Sequence, residues 1–134
     1  MEKTYWRLFV YNDNSLRIRI NGWVNPGDLL APYDKKFDQF LEKKRPIEFV
    51  RAFNLYYHIP VFAKVDTSAL IMRDDSEPRQ TWIYPRLAIM LAEWLDLKFG
   101  AWQEGTIWDI QSSYGTVFEA LQIAEAFITS SNKE

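Results

Sequence analysis

The sequence predicts a single α+β domain spanning residues 1–134, and three observations carry that reading. The length sits at the mode of single-domain sizes, and such a chain buries roughly two-thirds of its unfolded surface, enough for a core without covalent staples. Near the start, Leu16, Ile18 and Ile20 alternate with Arg17 and Arg19, the period of a half-buried strand. From Pro85 onward the apolar residues instead recur at three- and four-residue spacing, the period of a helix.

Taken in order, Tyr5 to Tyr11 and Leu16 to Ile20 read as two strands joined by the polar turn Asn12-Asp13-Asn14-Ser15. Asn25 caps a short helix with Pro26 at its first position, and Pro32 stops it near Leu30 or Ala31. Asp34 is the next cap, opening a helix to about Lys44 whose Phe37, Phe40 and Leu41 share one face. Pro46 begins a further helical turn or two, with Ile47, Val50 and Phe53 as its apolar residues. Ala69 to Arg73 and Gln80 to Tyr84 read as short strands around the loop Asp74 to Arg79. Pro85 opens the clearest helix, Leu97 to about Ile110 forms another, and Val117, Phe118, Leu121, Ala124 and Ile128 stripe a last one over 111–134. Trp82 and Trp94 are expected in the core, together with Phe99, Trp102 and Trp108.

Composition excludes several classes of function. The chain has no cysteine, which removes disulfides, thiol catalysis and cysteine zinc sites, and His58 is its one histidine. It has no Gly-x-Ser-x-Gly, no phosphate-cradling glycine loop and no metal-ligand spacing. The pair Asp74-Asp75 lies in a loop that offers no pocket to raise a carboxyl pKa. No enzyme activity, metal, cofactor or small-molecule substrate is therefore expected. Met1 to Arg7 leads straight into the alternating pattern, and no stretch approaches the ~18 uncharged apolar residues of a membrane span. The expectation is a cytoplasmic protein without a membrane partner.

The net charge of −2 hides an asymmetry. Residues 1–58 hold ten Lys and Arg against seven Asp and Glu, a net +3, while residues 59–134 hold six against eleven, a net −5. Lys35, Lys36, Lys43, Lys44 and Arg45 form the densest basic set. Lys36 and Lys43 are seven apart on one expected helix face, with Gln39 between them. Lysine reaches phosphates or guanine edges, and glutamine pairs with adenine. The same set also reads as a solvated face balanced by Asp34, Asp38, Glu42 and Glu48.

The stretch Thr81-Trp82-Ile83-Tyr84-Pro85-Arg86-Leu87-Ala88, continued through Ala92, Trp94-Leu95 and Lys98-Phe99, resembles the signature of the KilA-N family. Gly22-Trp23-Val24-Asn25, Leu29-Leu30 and Phe37-Asp38-Gln39-Phe40-Leu41 resemble its upstream segments, so the likeness covers about 22–110. The resemblance implies a winged helix-turn-helix-like core with additional C-terminal helices, related to fungal APSES regulators. It also implies binding of double-stranded DNA by a small regulatory factor of phage or mobile-element type. The DNA-facing helix would be the one carrying Lys35, Lys36, Gln39, Lys43, Lys44 and Arg45, and the wing would bring Arg73, Arg79 and Gln80. The wing departs from the family pattern in carrying Asp74, Asp75 and Glu77, which would repel phosphates. The alternative is a protein–protein interaction module that kept the fold and lost DNA binding. If the chain binds DNA tightly, a homodimer through the acidic, aromatic C-terminal helices is expected, because one small module makes few contacts.

Overall fold

The computed structural model describes residues 6–63, 65–74 and 79–112. Strands β1 (Trp6–Tyr11) and β2 (Asn14–Arg19) pair antiparallel, with Tyr11 opposite Asn14. Only Asn12 and Asp13 are left for the turn, and both have positive φ, 47° and 65°. A two-residue hairpin of matching twist requires that conformation, which short polar side chains tolerate. Leu16 and Ile18 face inward from β2 and are fully buried.

Gly22, at φ 95°, turns the chain back so that Val24 can bridge two hairpins. A Cβ there would stand 3.2 Å from Pro85 Cγ, so both the left-handed φ and the close approach favour glycine. Val24 exchanges backbone hydrogen bonds with Ile83 of β4 (Thr81–Ile83), which pairs antiparallel with β3 (Ile71–Arg73).

Between the hairpins lie three helices. Helix α1 (Pro26–Leu30) starts as its sequence indicates, with Asn25 accepting from the Asp28 N–H and Pro26 at the first position. The helix expected from Asp34 to Lys44 is shorter, and the one expected from Pro46 starts two residues earlier and runs longer. Helix α2 (Phe37–Leu41) is capped at Lys36, the chain extends at Lys43, and α3 (Lys44–Tyr56) begins anew. Pro46 keeps the two helices separate, as expected, because in a continuous helix its ring would clash with the carbonyl one turn back and its missing N–H would break the ladder. In the first turn of a fresh helix it costs neither. At the far end α3 closes with His58 at φ 53°, the Ile59 N–H bonding to the Asn54 carbonyl and the His58 N–H to that of Leu55. That doubly hydrogen-bonded closure satisfies the last carbonyls of the helix.

Helix α4 (Pro85–Leu95) runs through the middle, with Pro85 and every residue from Leu87 to Ala92 buried. A helix apolar nearly all round belongs inside a domain. Helix α5 covers 97–112. It crosses α4 at Gly100, where a Cβ would lie 2.4 Å from Glu93 Cγ and 2.8 Å from Glu93 Cα, too close for any larger residue. The α+β class is therefore observed, and the expected last helix lies outside the described residues. Among the described residues, no helix is long and apolar enough to cross a membrane.

Candidate nucleic-acid interface

The junction between the second hairpin and α1 is built from polar groups that face one another. Asp28 accepts from Arg17 Nε at 2.8 Å, from Nη2 at 2.9 Å and from the Arg17 backbone N–H. Arg17 Nη1 and Asn25 Nδ2 both donate to Gln80 Oε1, at 2.8 and 3.0 Å. The Asp28 hydrogen bonds, more than the opposing desolvation, raise the Arg17 pKa above its ordinary value. Gln80, expected on the DNA-facing wing, therefore spends its side-chain carbonyl oxygen inside the protein.

Asp74 carries the main correction in this region. The sequence places it in an exposed acidic loop, whereas the structure buries it, its carboxylate accepting from Trp82 Nε1 at 2.9 Å and from the Gln80 N–H. Trp82 is fully buried as expected, and an indole N–H in that position needs an acceptor. Asp74 is thus a strut of the hairpin, its carboxylate turned into the protein. Asp75 and Glu77 lie outside the described residues. Arg73 and Arg79 are exposed and border a groove of about 440 Å³, closed on its other side by Phe37, Asp38 and Leu41 of α2.

The basic set gathers on the other side of α2. Lys36 and Lys43 do not share a helix face, since each is the extended cap of a different helix. Gln39 Oε1 accepts from the Lys36 N–H at 2.8 Å, so the group suited to adenine also holds the start of α2. Lys43, Lys44 and Arg45 line a second groove of about 320 Å³ with Phe40, Glu93 and Trp94. Lys44 faces Glu48 at 3.8 Å and Arg45 faces Glu93 at 3.6 Å, both loose pairs. The first turn of α3 contains no acidic residue, and no side chain caps it. Cations there oppose the helix dipole, an arrangement that an anion between them relieves.

Trp94, expected in the core, is only half-buried. One part packs on Phe40, centroids 5.8 Å apart, while Lys35 Nζ stands 4.6 Å and Lys43 Nζ 6.0 Å from its ring centroid. Of the other expected core aromatics, Phe99 is buried, Trp102 packs against Tyr11 and Phe99, and Trp108 is 70% exposed. A surface that hydrophobic periodicity does not reveal lies at the far end of α3. There Leu55, Tyr56, Tyr57, Val61 and Phe62 are exposed, Phe62 at 91%. The only signal for it is a run of apolar and aromatic residues around His58 and Pro60 that fits neither a helical nor a strand period. Among the described residues, no group of acidic or histidine side chains could hold a metal ion.

The family likeness extends over most of this architecture. No curated protein and no solved structure matches the chain. The KilA-N domain model matches residues 9–113, from the first hairpin through α5. The chain therefore belongs to the KilA-N domain family, generally a family of DNA-binding domains.

Proposed function

We propose that this chain binds double-stranded DNA through the α2–α3 junction and the β3–β4 hairpin, in a winged helix-turn-helix-like arrangement. The observation that carries the reading is the cationic, side-chain-uncapped start of α3. Lys43, Lys44 and Arg45 meet there at the positive end of a thirteen-residue helix, with Lys35 and Lys36 close by. Phosphates are the ligand such a site stabilises best. Arg73 and Arg79 extend the cationic surface across α2. Gln39 reads a base edge with the amide face not committed to Lys36. The role is that of a small regulatory factor of phage or mobile-element type, in the cytoplasm, acting as a dimer through its C-terminal helices.

Titration of mixed-sequence duplex against the protein over a range of salt tests this. Log affinity falls with log salt by about 0.9 for each phosphate neutralised, and replacing Lys36 and Lys43 by Ala lowers that slope by about two. Replacing Gln39 by Ala relaxes preference at one base pair by ~1–3 kcal/mol and leaves the slope alone. Absence of duplex affinity at low salt overturns the reading.

One observation favours a second reading, a protein-binding module that kept the fold. The exposed cluster Leu55, Tyr56, Tyr57, Val61 and Phe62 borders a groove of about 560 Å³ lined by Arg51, Asn54 and His58. Large apolar patches rimmed by polar groups mark contact surfaces. If Tyr56→Ser and Phe62→Ser abolish function in cells while duplex affinity in vitro is unchanged, the module reading gains.

A further inference from the structure

The signature helix α4 looks purely structural in sequence, yet its last turn reaches the basic surface. Glu93 faces Arg45, and Trp94 lies under two lysines from separate elements, Lys35 before α2 and Lys43 between α2 and α3. An ammonium group held over an indole face is attracted by the ring quadrupole and loses part of its rotamer freedom before any ligand arrives. Each ammonium has three donors, so one directed at the ring leaves others for an oxygen ligand. Lysine on a free four-carbon stem loses more entropy on meeting a phosphate than one already placed.

We propose that Trp94 is a positioning residue for DNA binding, its indole pre-arranging the ammonium groups of Lys35 and Lys43 for phosphates of one backbone. This rests on the DNA-binding reading above. The indole itself is anchored by Phe40, which is buried, so the platform is fixed to the core and not to the loops that carry the lysines. Trp94 thus couples the central, most buried helix of the domain to two of its exposed cations. It needs no contact with DNA to act.

The test is a cycle of variants titrated with a mixed-sequence duplex over a range of salt. Trp94→Leu keeps apolar bulk against Phe40 and removes the π face. It weakens binding about three- to tenfold with the salt slope unchanged, because both lysines still meet phosphate. Trp94→Phe, which restores a ring, recovers most of the loss. In a background already carrying Lys35→Ala and Lys43→Ala, Trp94→Leu has no further effect. The εCH₂ proton resonances of Lys35 and Lys43 lie upfield in the wild type and in Trp94→Phe, through the ring current, and return to free-lysine positions in Trp94→Leu.

Equal affinity of Trp94→Leu and wild type overturns the proposal while leaving DNA binding intact. So does an equal loss in the lysine-free background, which assigns Trp94 to packing alone. Should Trp94→Leu fail to fold, Trp94→Met, flexible and without a π face, replaces it in the cycle, weakening the wild type and leaving the Lys35→Ala, Lys43→Ala background unchanged. A wild type with upfield lysine resonances and no duplex affinity refutes the DNA reading itself, and the proposal with it.

Discussion

Arg17 and the trio Lys43, Lys44 and Arg45 are cations of the same domain with opposite roles. Arg17 is bidentate on Asp28, adds Gln80 as a third acceptor, and makes its bonds at 2.8–2.9 Å on partly buried side chains. Lys44 and Arg45 approach their partners no closer than 3.8 and 3.6 Å, on side chains 87% and 61% exposed. The first arrangement joins β2, α1 and the second hairpin. The second leaves charge at the surface beside a helix N-terminus. Residue type does not separate a structural cation from a binding one; the number of acceptors around it and the water it keeps do.

Four experiments put this contrast at risk. The largest effect belongs to the internal junction. Trp82→Ala empties a fully buried site and leaves Asp74 without its indole donor, costing ~3–5 kcal/mol in urea unfolding. A loss below about 1 kcal/mol would show that the hairpin is not anchored through this ring.

Asp28→Ala comes next. It strips Arg17 of two side-chain bonds and one backbone bond, a loss of about 1.5–3 kcal/mol given the partial exposure of the pair. The salt slope of duplex binding stays as in the wild type, since no phosphate contact is removed. A changed slope would make Arg17 part of the interface and dissolve the contrast.

The mirror image is Lys44→Ala with Arg45→Ala. Stability moves by no more than about 0.5 kcal/mol, because exposed pairs at these distances contribute little. The slope of log affinity against log salt falls by about two. Retention of the wild-type slope assigns both cations to ordinary surface.

The smallest effect concerns a third kind of charge, the half-buried carboxylate of Asp66. Hydrogen bonds from the Ser68 side chain, then from the Phe62 and Ser68 backbone N–H groups, hold it below its ordinary pKa of 3.8. A folded pKa below the unfolded one contributes stability at pH above the ordinary value and loses it as pH falls through the depressed one. Acidification into that range should therefore shift the Phe62 and Ser68 amide resonances while those of α4 hold. Simultaneous movement of both sets would mean that this loop and the core titrate as one unit.

Much of the chain order is legible in the sequence because the signals are local. The polar run from Asn12 marks the turn, although its Asn14 and Ser15 pair in β2, Asn25-Pro26 caps and starts a helix, and Pro85 with the run Leu87 to Ala92 makes α4. The helix expected over Asp34 to Lys44 forms only over Phe37–Leu41, where its apolar residues lie, and the polar residues Lys44 and Arg45 join the helix expected at Pro46 instead. Asp74 defeats local reading for a different reason. An aspartate beside another in a loop reads as solvated unless a donor reaches it, and that donor, Trp82 Nε1, comes from eight residues on.

The α+β class, the family likeness, the starts of α1 and α4 and the densest basic stretch are all written in the sequence. Each follows from neighbours within a turn or a strand, where chain connectivity sets the geometry. The convergence of Arg17, Asp28, Asn25 and Gln80 is of another kind, and so is the placing of Trp94 half out of the core beneath Lys35 and Lys43. These appear only once the chain has packed. The contacts of Arg17 span 11 residues to Asp28 and 63 to Gln80. Separations of that length have no fixed distance in the unfolded chain; packing around α4 supplies it.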